Sequence, residues 1–287
     1  MPNYGVVTYV HDWYHGYIPF FIRAWQLAYP EYQIRIFCDK VQKQYDGAEL
    51  IEMPNPHESK KPYYLRWLIP PEKLAGLDYA FICDVDLLAM RESRPLHETR
   101  IACMRNKQRP FANWVRARAE GYPNRVTGWH FIEVEPYYDK VWPLAEKVLH
   151  DRLFNIANPP SYKYDNGLGE FQWGQEALLY QLLTAAFGLN DQDVADWPWF
   201  ANHHGLHLGP LRNPLTTSRL KVAERLWPNT VFWYDIEQAR QILNDPGIQA
   251  AYLVSEQPRV TTIMTKLYNM FGLLNPAQTS RRNSAGE

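Results

Sequence analysis

Tyr79-Ala80-Phe81-Ile82-Cys83-Asp84-Val85-Asp86-Leu87-Leu88 is an apolar run interrupted by two carboxylates one residue apart. The apolar part is long enough for a buried strand, and charge at such a place is costly unless it is paired or binds a cation. Side chains at i and i+2 of a strand share a face, so Asp84 and Asp86 are expected to converge at the strand's carboxyl end. Ligands of open α/β sheets collect at that end. Two hard oxygen donors suit Mg²⁺ or Mn²⁺, with water and phosphate completing the shell. The plainer reading is that Asp84 ends the strand and Asp86 caps a turn.

Working outward, Tyr4–Val10 reads as a first strand, Tyr17–Tyr29 as an amphipathic helix and Tyr32–Cys38 as a second strand. This order predicts a right-handed parallel βαβ unit. Lys61–Ile69 is expected to be helical up to the Pro70-Pro71 break, and Asp78–Cys83 is the strand bearing the acidic pair. Thr99–Met104 and Val126–Val134 read as further strands, Tyr137–His150 and Trp173–Phe187 as helices. Pro159, Pro160, Gly167 and Gly169 punctuate a loop between them.

A chain of 287 residues with formal charge −1 accommodates one α/β unit and carries no bulk electrostatic signal for nucleic acid. Its 19 tyrosines and 11 tryptophans suit a core, though such rings also stack on sugars and bases. Cys38, Cys83 and Cys103 sit in apolar, strand-like runs without disulfide or zinc spacing. They read as buried reduced thiols, which, with no visible leader, predicts a cytoplasmic location. No apolar run approaches a membrane span.

Glycine fingerprints for dinucleotides and the phosphate-loop motif are absent, as is the Gly-x-Ser-x-Gly elbow. A second cluster is present instead: Asn202-His203-His204-Gly205-Leu206-His207-Leu208-Gly209-Pro210-Leu211-Arg212. An imidazole can complete a manganese shell and an arginine can grip phosphate in bidentate fashion. Three neighbouring loop histidines with no ligand is the competing reading.

These features together resemble the nucleotide-sugar-dependent glycosyltransferases of GT-A fold, in particular the bacterial lipopolysaccharide galactosyltransferase and glycogenin group. Strand one followed by Asp12-x-Tyr14 is similar to the segment that seats the nucleobase. Tyr63-Tyr64-Leu65-Arg66-Trp67-Leu68-Ile69-Pro70 resembles the helix whose arginine reaches the donor. Asp84 and Asp86 match the acidic pair. His207-Leu208-Gly209-Pro210-Leu211-Arg212 resembles a His-x-x-Gly-Pro-x-Lys-Pro signature, one residue shorter and with Arg in place of Lys.

The resemblance implies an α/β fold of GT-A type, a Rossmann-like mixed sheet flanked by helices. A transferase domain over 1–235 and a C-terminal helical extension over 236–287 would follow. Metal would be held by Asp84, Asp86 and His207, with His204 as the second choice of imidazole. Tyr9, Asp12, Arg66, Val85 and Arg212 would join the aspartates on the donor side. Thr127-Gly128-Trp129 resembles a small-residue-glycine step before the donor and acceptor contacts. Phe171-Gln172-Trp173-Gly174-Gln175-Glu176 resembles the start of a helix near the sugar, with Gln175 and Glu176 as candidate catalytic residues. Glu176 reads equally as a solvated first-turn glutamate favoured by the helix dipole.

The implied activity is Mn²⁺- or Mg²⁺-dependent sugar transfer from a nucleotide-diphosphate sugar, UDP favoured over GDP. Its acceptor would be a glycan or a lipid-linked glycan of surface polysaccharide or lipopolysaccharide synthesis. Two other classes remain: a non-catalytic carbohydrate or divalent-ion module, and a haloacid-dehalogenase-like phosphatase. The phosphatase pattern wants Thr or Val where Leu88 stands. Finally, Val260, Ile263, Met264, Leu267, Met270, Phe271 and Leu274 define one apolar helix face. Packing on the domain is its expected use; peripheral membrane contact through residues 259–274, at the inner face, is the functional alternative.

Overall fold

Six of the seven residues of strand β1 (Tyr4–Val10) are buried. Both faces of the strand are covered: Val6 and Val10 enter one core cluster, Val7 and Tyr9 the other. That double burial is why the segment reads as continuously apolar instead of alternating. A computed structural model describes residues 1–56, 62–92, 94–113, 115–116, 125–150, 175–190, 205–208, 236–273 and 275–277. After β1 come a 3₁₀ turn (Asp12–Tyr17), helix α1 (Ile18–Ala28) and strands β2 (Tyr32–Cys38) and β3 (Glu49–Glu52). Two more 3₁₀ turns (Pro62–Trp67 and Pro71–Leu74) precede β4 (Tyr79–Ile82) and the short β5 (Leu87–Ala89). Helix α2 (Leu96–Lys107) leads to β6 (Phe111–Ala112), β7 (Val115–Arg116), β8 (Arg125–Val126) and β9 (His130–Glu133). Helices α3 (Val134–His150) and α4 (Gln175–Phe187), strand β10 (Gly205–His207) and helices α5 (Ile236–Leu243), α6 (Pro246–Leu253) and α7 (Pro258–Met270) complete the described elements.

The main sheet has the order β3-β2-β1-β4-β9-β6. β3, β2, β1 and β4 are parallel, whereas β9 runs antiparallel to both β4 and β6. The architecture is therefore mixed α/β, a six-stranded mixed sheet flanked by helices. Successive strands add on one side of β1 up to β3, and β4 then returns to its other side. The carboxyl ends of β1 and β4 thus flank the reversal point where a crevice forms. α1, α2 and the C-terminal helices fill the first core cluster, while α3, α4 and the Pro62–Trp67 turn fill the second.

Three expectations are corrected. Thr99–Met104 lies within helix α2 and is not a strand; its buried residues Leu96, Arg100 and Met104 recur every four positions. An arginine in the middle of that stripe disguises the helical period, and Cys103 is only half buried. Lys61–Ile69 folds into a 3₁₀ turn over Pro62–Trp67 instead of an α-helix. Val126–Val134 is also interrupted, with β8 and β9 separated at Thr127–Trp129.

The apolar face of α7 is packed inward, with Val260, Ile263, Met264 and Leu267 at most 5% exposed. Leu274 and the tail from Gln278 lie outside the described residues. No helix among the described residues is long and apolar enough to cross a membrane.

The C-terminal helices are also tied down by charge. Asp245 caps α6, accepting from Gly247 and Ile248 N–H, and takes a bidentate pair of bonds from Arg23 on α1, both 2.8 Å. The Arg23 hydrogen bonds hold the Asp245 carboxyl below its ordinary pKa. The Arg23 side chain is 38% exposed, so solvent screens part of the pair. Asp245→Ala should lower stability at neutral pH by about 2 kcal/mol, cap and pair together. A depressed carboxyl pKa contributes stability above its unfolded value, and that contribution is lost as pH falls through the folded value. Denaturant titrations should therefore show the wild-type advantage shrinking below the ordinary aspartate range.

Candidate metal centre

The acidic pair sits just past the end of β4, on the link from Cys83 to Asp86 that leads into β5. Its convergence comes from this turn and not from strand alternation, since the strand stops at Ile82. Cys83 N–H donates to Val7 carbonyl oxygen at 3.0 Å, extending the β1–β4 ladder to the threshold of the turn. Asp86 is 1% exposed, and the Asp84 side chain 23%. Val85 between them is buried in the first core cluster, which turns both carboxylates away from it.

His207 arrives from far along the chain. β10 pairs antiparallel with β5, setting His207 opposite Leu87, and Leu208 N–H donates to Asp86 carbonyl oxygen at 2.8 Å. His207 Nε2 lies 3.2 Å from Asp86 Oδ1 and 3.8 Å from Asp84 Oδ2. One ligand atom from each of the three residues falls within a 4.8 Å span. The Trp129 and His207 rings meet in a T-shaped arrangement, centroids 6.1 Å apart. Gly205 permits this pairing: a Cβ there would sit 2.1 Å from the Leu88 carbonyl oxygen.

Arg66 enters from the Pro62–Trp67 turn. It is 3% exposed, ion-paired through Nη1 with Asp84 Oδ1, and stacked 4.3 Å above the Trp67 ring. It is thus neither a surface pair nor an isolated donor contact; it neutralises one of the two aspartates. Gly128 closes the other side. A Cβ on Gly128 would lie 3.2 Å from Arg66 Nη2, 3.2 Å from Asp84 Oδ2 and 3.6 Å from Glu176 Oε1. Glu176, half buried at the first turn of α4, thus faces this glycine, as Arg66 and Asp84 do.

Sequence reasoning missed Asn113, which shapes this wall. Its Oδ1 accepts from Thr127 N–H at 3.0 Å, and its Nδ2 donates to the Thr127 carbonyl at 3.1 Å. The same amide lies 3.2 Å from His130 Nδ1. Burial drives the His130 pKa down to about 3, so the ring is neutral and can accept there. A single asparagine in a loop carries no spacing signal that would have marked it.

At the end of β1, Asp12 is exposed and takes a left-handed backbone angle, φ 50°. His11 Nδ1 donates to its carboxylate at 3.0 Å, while burial lowers the His11 pKa against that opposing pull. Tyr9 is buried, and its hydroxyl donates to the Met53 carbonyl at 3.0 Å. Gln175 opens α4. His204 and Arg212 lie outside the described residues.

The donor set of two carboxylate oxygens and one imidazole nitrogen fits a divalent cation. Asp84, Asp86 and Arg66 together carry one formal negative charge, with the Glu176 carboxylate near by, so a divalent ion would offset the excess of negative charge.

No protein-family model and no curated protein matches the chain. Among solved structures it is similar to an active-site mutant of LgtC, at 16% identity and TM-score 0.35 over 50% of this chain. It is similar to the galactosyltransferase LgtC in complex with donor and acceptor sugar analogues, at 14% identity and TM-score 0.39 over 62% of this chain and 70% of that one. It is also similar to the apo form of the glycosyltransferase GlyE from Streptococcus pneumoniae TIGR4, at 14% identity and TM-score 0.36 over 67% of this chain. The chain spans 64% of the length of the LgtC mutant and 46% of GlyE.

Proposed function

We propose that this protein transfers a sugar from a nucleotide-diphosphate sugar, UDP favoured over GDP, to a glycan or lipid-linked acceptor with the help of Mn²⁺. Surface polysaccharide or lipopolysaccharide synthesis is the setting implied by the motif resemblance. The observation that carries the reading is the cluster of Asp84, Asp86 and His207, whose ligand atoms fall within 4.8 Å although the histidine comes from a distant strand.

In such a transfer the bond between the anomeric carbon and the phosphate oxygen breaks, and the diphosphate leaves with the electron pair. The acceptor oxygen bonds to that carbon and gives up its proton. A cation held by Asp84, Asp86 and His207 would supply Lewis-acid neutralisation of the leaving group, worth several kcal/mol at the transition state. Arg66 keeps Asp84 oriented and adds fixed positive charge next to it. Glu176, which faces Gly128 from α4, would accept a proton or bind a sugar hydroxyl, as the motif resemblance implies. Arg212 would grip the diphosphate as the motif resemblance implies.

A thermal-shift panel of UDP, GDP, CDP and dTDP, each with and without Mn²⁺, tests this. One nucleotide should raise the unfolding midpoint only when Mn²⁺ is present, by about 2.7 kcal/mol of stability at a hundredfold excess over Kd. No shift with any nucleotide in folded protein would sink the transferase reading and favour a non-catalytic sugar or ion module.

A further inference from the structure

The Asp12–Tyr17 turn is held in place from two sides. On the sheet side, buried His15 donates through Nε2 to Asp39 Oδ1 at 2.7 Å, just beyond the end of β2. On the other side stands α7, the last described helix. Gly16 is pressed against its first turn: a Cβ there would meet Gln257 Cγ at 2.7 Å, Gln257 Cβ at 2.8 Å and Val260 Cγ2 at 2.9 Å. Val260 is fully buried, so the helix cannot simply lean away. Next to this contact the Arg259 guanidinium stands 5.6 Å from the Trp13 ring centroid, and Trp13 in turn lies 4.3 Å from the Tyr14 ring.

The segment so clamped includes Asp12, a non-glycine residue at φ 50° with its side chain 73% exposed. Such a conformation is sparsely populated and persists only where its surroundings over-determine it. The turn also stands at the carboxyl end of β1, next to the reversal of strand order where ligands enter. A solvated carboxylate held in a strained backbone by two independent anchors is preorganised for a polar ligand.

We propose that α7 is a working part of the donor pocket. Gly16 is its positioning residue, holding the Asp12–Tyr14 segment in the shape that receives the nucleoside half of the donor. This rests on the donor reading above. The C-terminal extension then serves specificity for the nucleoside while the metal cluster handles the diphosphate, and the two can be perturbed separately.

Calorimetry with Mn²⁺ alone, and with Mn²⁺ plus the nucleoside diphosphate that shifts the wild type, separates the two. Gly16→Ala should weaken the nucleotide about tenfold, the order expected of a sub-ångström displacement, and leave the Mn²⁺ affinity as in wild type. Adding Gln257→Gly, which removes two of the three clashing atoms, should recover most of that loss. Arg259→Gln, at an exposed position, should weaken the nucleotide about threefold by loosening the Trp13 stack. With saturating metal, KM for the donor should rise in these variants while kcat holds. If Gly16→Ala does not fold, Arg259→Gln decides the matter. Unchanged nucleotide affinity in the folded variants, or equal losses for metal and nucleotide, would overturn the proposal. A wild type that binds Mn²⁺ but no nucleotide would instead overturn the donor reading beneath it.

Discussion

Asp86→Asn should abolish Mn²⁺-dependent nucleotide binding and lower the transfer rate by about a thousandfold, while leaving the metal-free protein folded. The two halves of this expectation have one origin. Asp86 is 1% exposed and converges on Asp84, with which Arg66 is ion-paired. Removing one of two like charges relieves repulsion in the metal-free protein, so its stability should stay within about 1 kcal/mol of wild type. The amide keeps the shape but is a poor ligand for a hard cation. Losing a Lewis acid worth several kcal/mol converts to about three orders of magnitude in rate. Metal titration followed by calorimetry, beside a denaturant melt without metal, measures both halves. A variant that still binds Mn²⁺ as wild type does would remove Asp86 from the metal centre.

Gly205→Ala should cost almost as much, although residue 205 offers no ligand atom. Its Cβ would stand 2.1 Å from the Leu88 carbonyl oxygen and 2.9 Å from Ala89 Cα, both backbone atoms that no side-chain rotation can move. The β10–β5 pairing has to open, and that pairing is what brings His207 Nε2 to 3.2 Å from Asp86. Mn²⁺ affinity should fall by about a hundredfold, comparable with His207→Ala, which loses the ligand directly. Circular dichroism should remain close to wild type, because β5 and β10 form a two-stranded sheet separate from the main one. Wild-type metal affinity in Gly205→Ala would show that the histidine reaches the cluster by another path.

Much of the site was legible because its chemistry is written in short range. Asp84 and Asp86 are one residue apart, and Arg66 stands in an aromatic run that buries it. The spacing Asp-x-Asp announced convergence, but the reason was misjudged: the strand ends at Ile82, and a turn aims the carboxylates. Arg100 marks where pattern reading failed. A charged residue in the apolar stripe of α2 left Ile-Ala-Cys-Met as the visible run, and a short apolar run does not distinguish strand from helix. The Asn113 wall was invisible for a different reason. Its partners Thr127 and His130 are 14 and 17 residues away, and no local pattern encodes a bridge of that kind.

β5 and β10 meet across a long stretch of chain. The strand that delivers His207 follows the aspartates by more than a hundred residues, so the cluster closes one of the longer loops in the chain. Long closures are entropically expensive and are made late in folding. A partly folded chain in which β10 has not yet paired with β5 would hold the two aspartates without His207. If the cluster binds a cation as proposed, metal retention would report that β10, the last described strand, has reached β5.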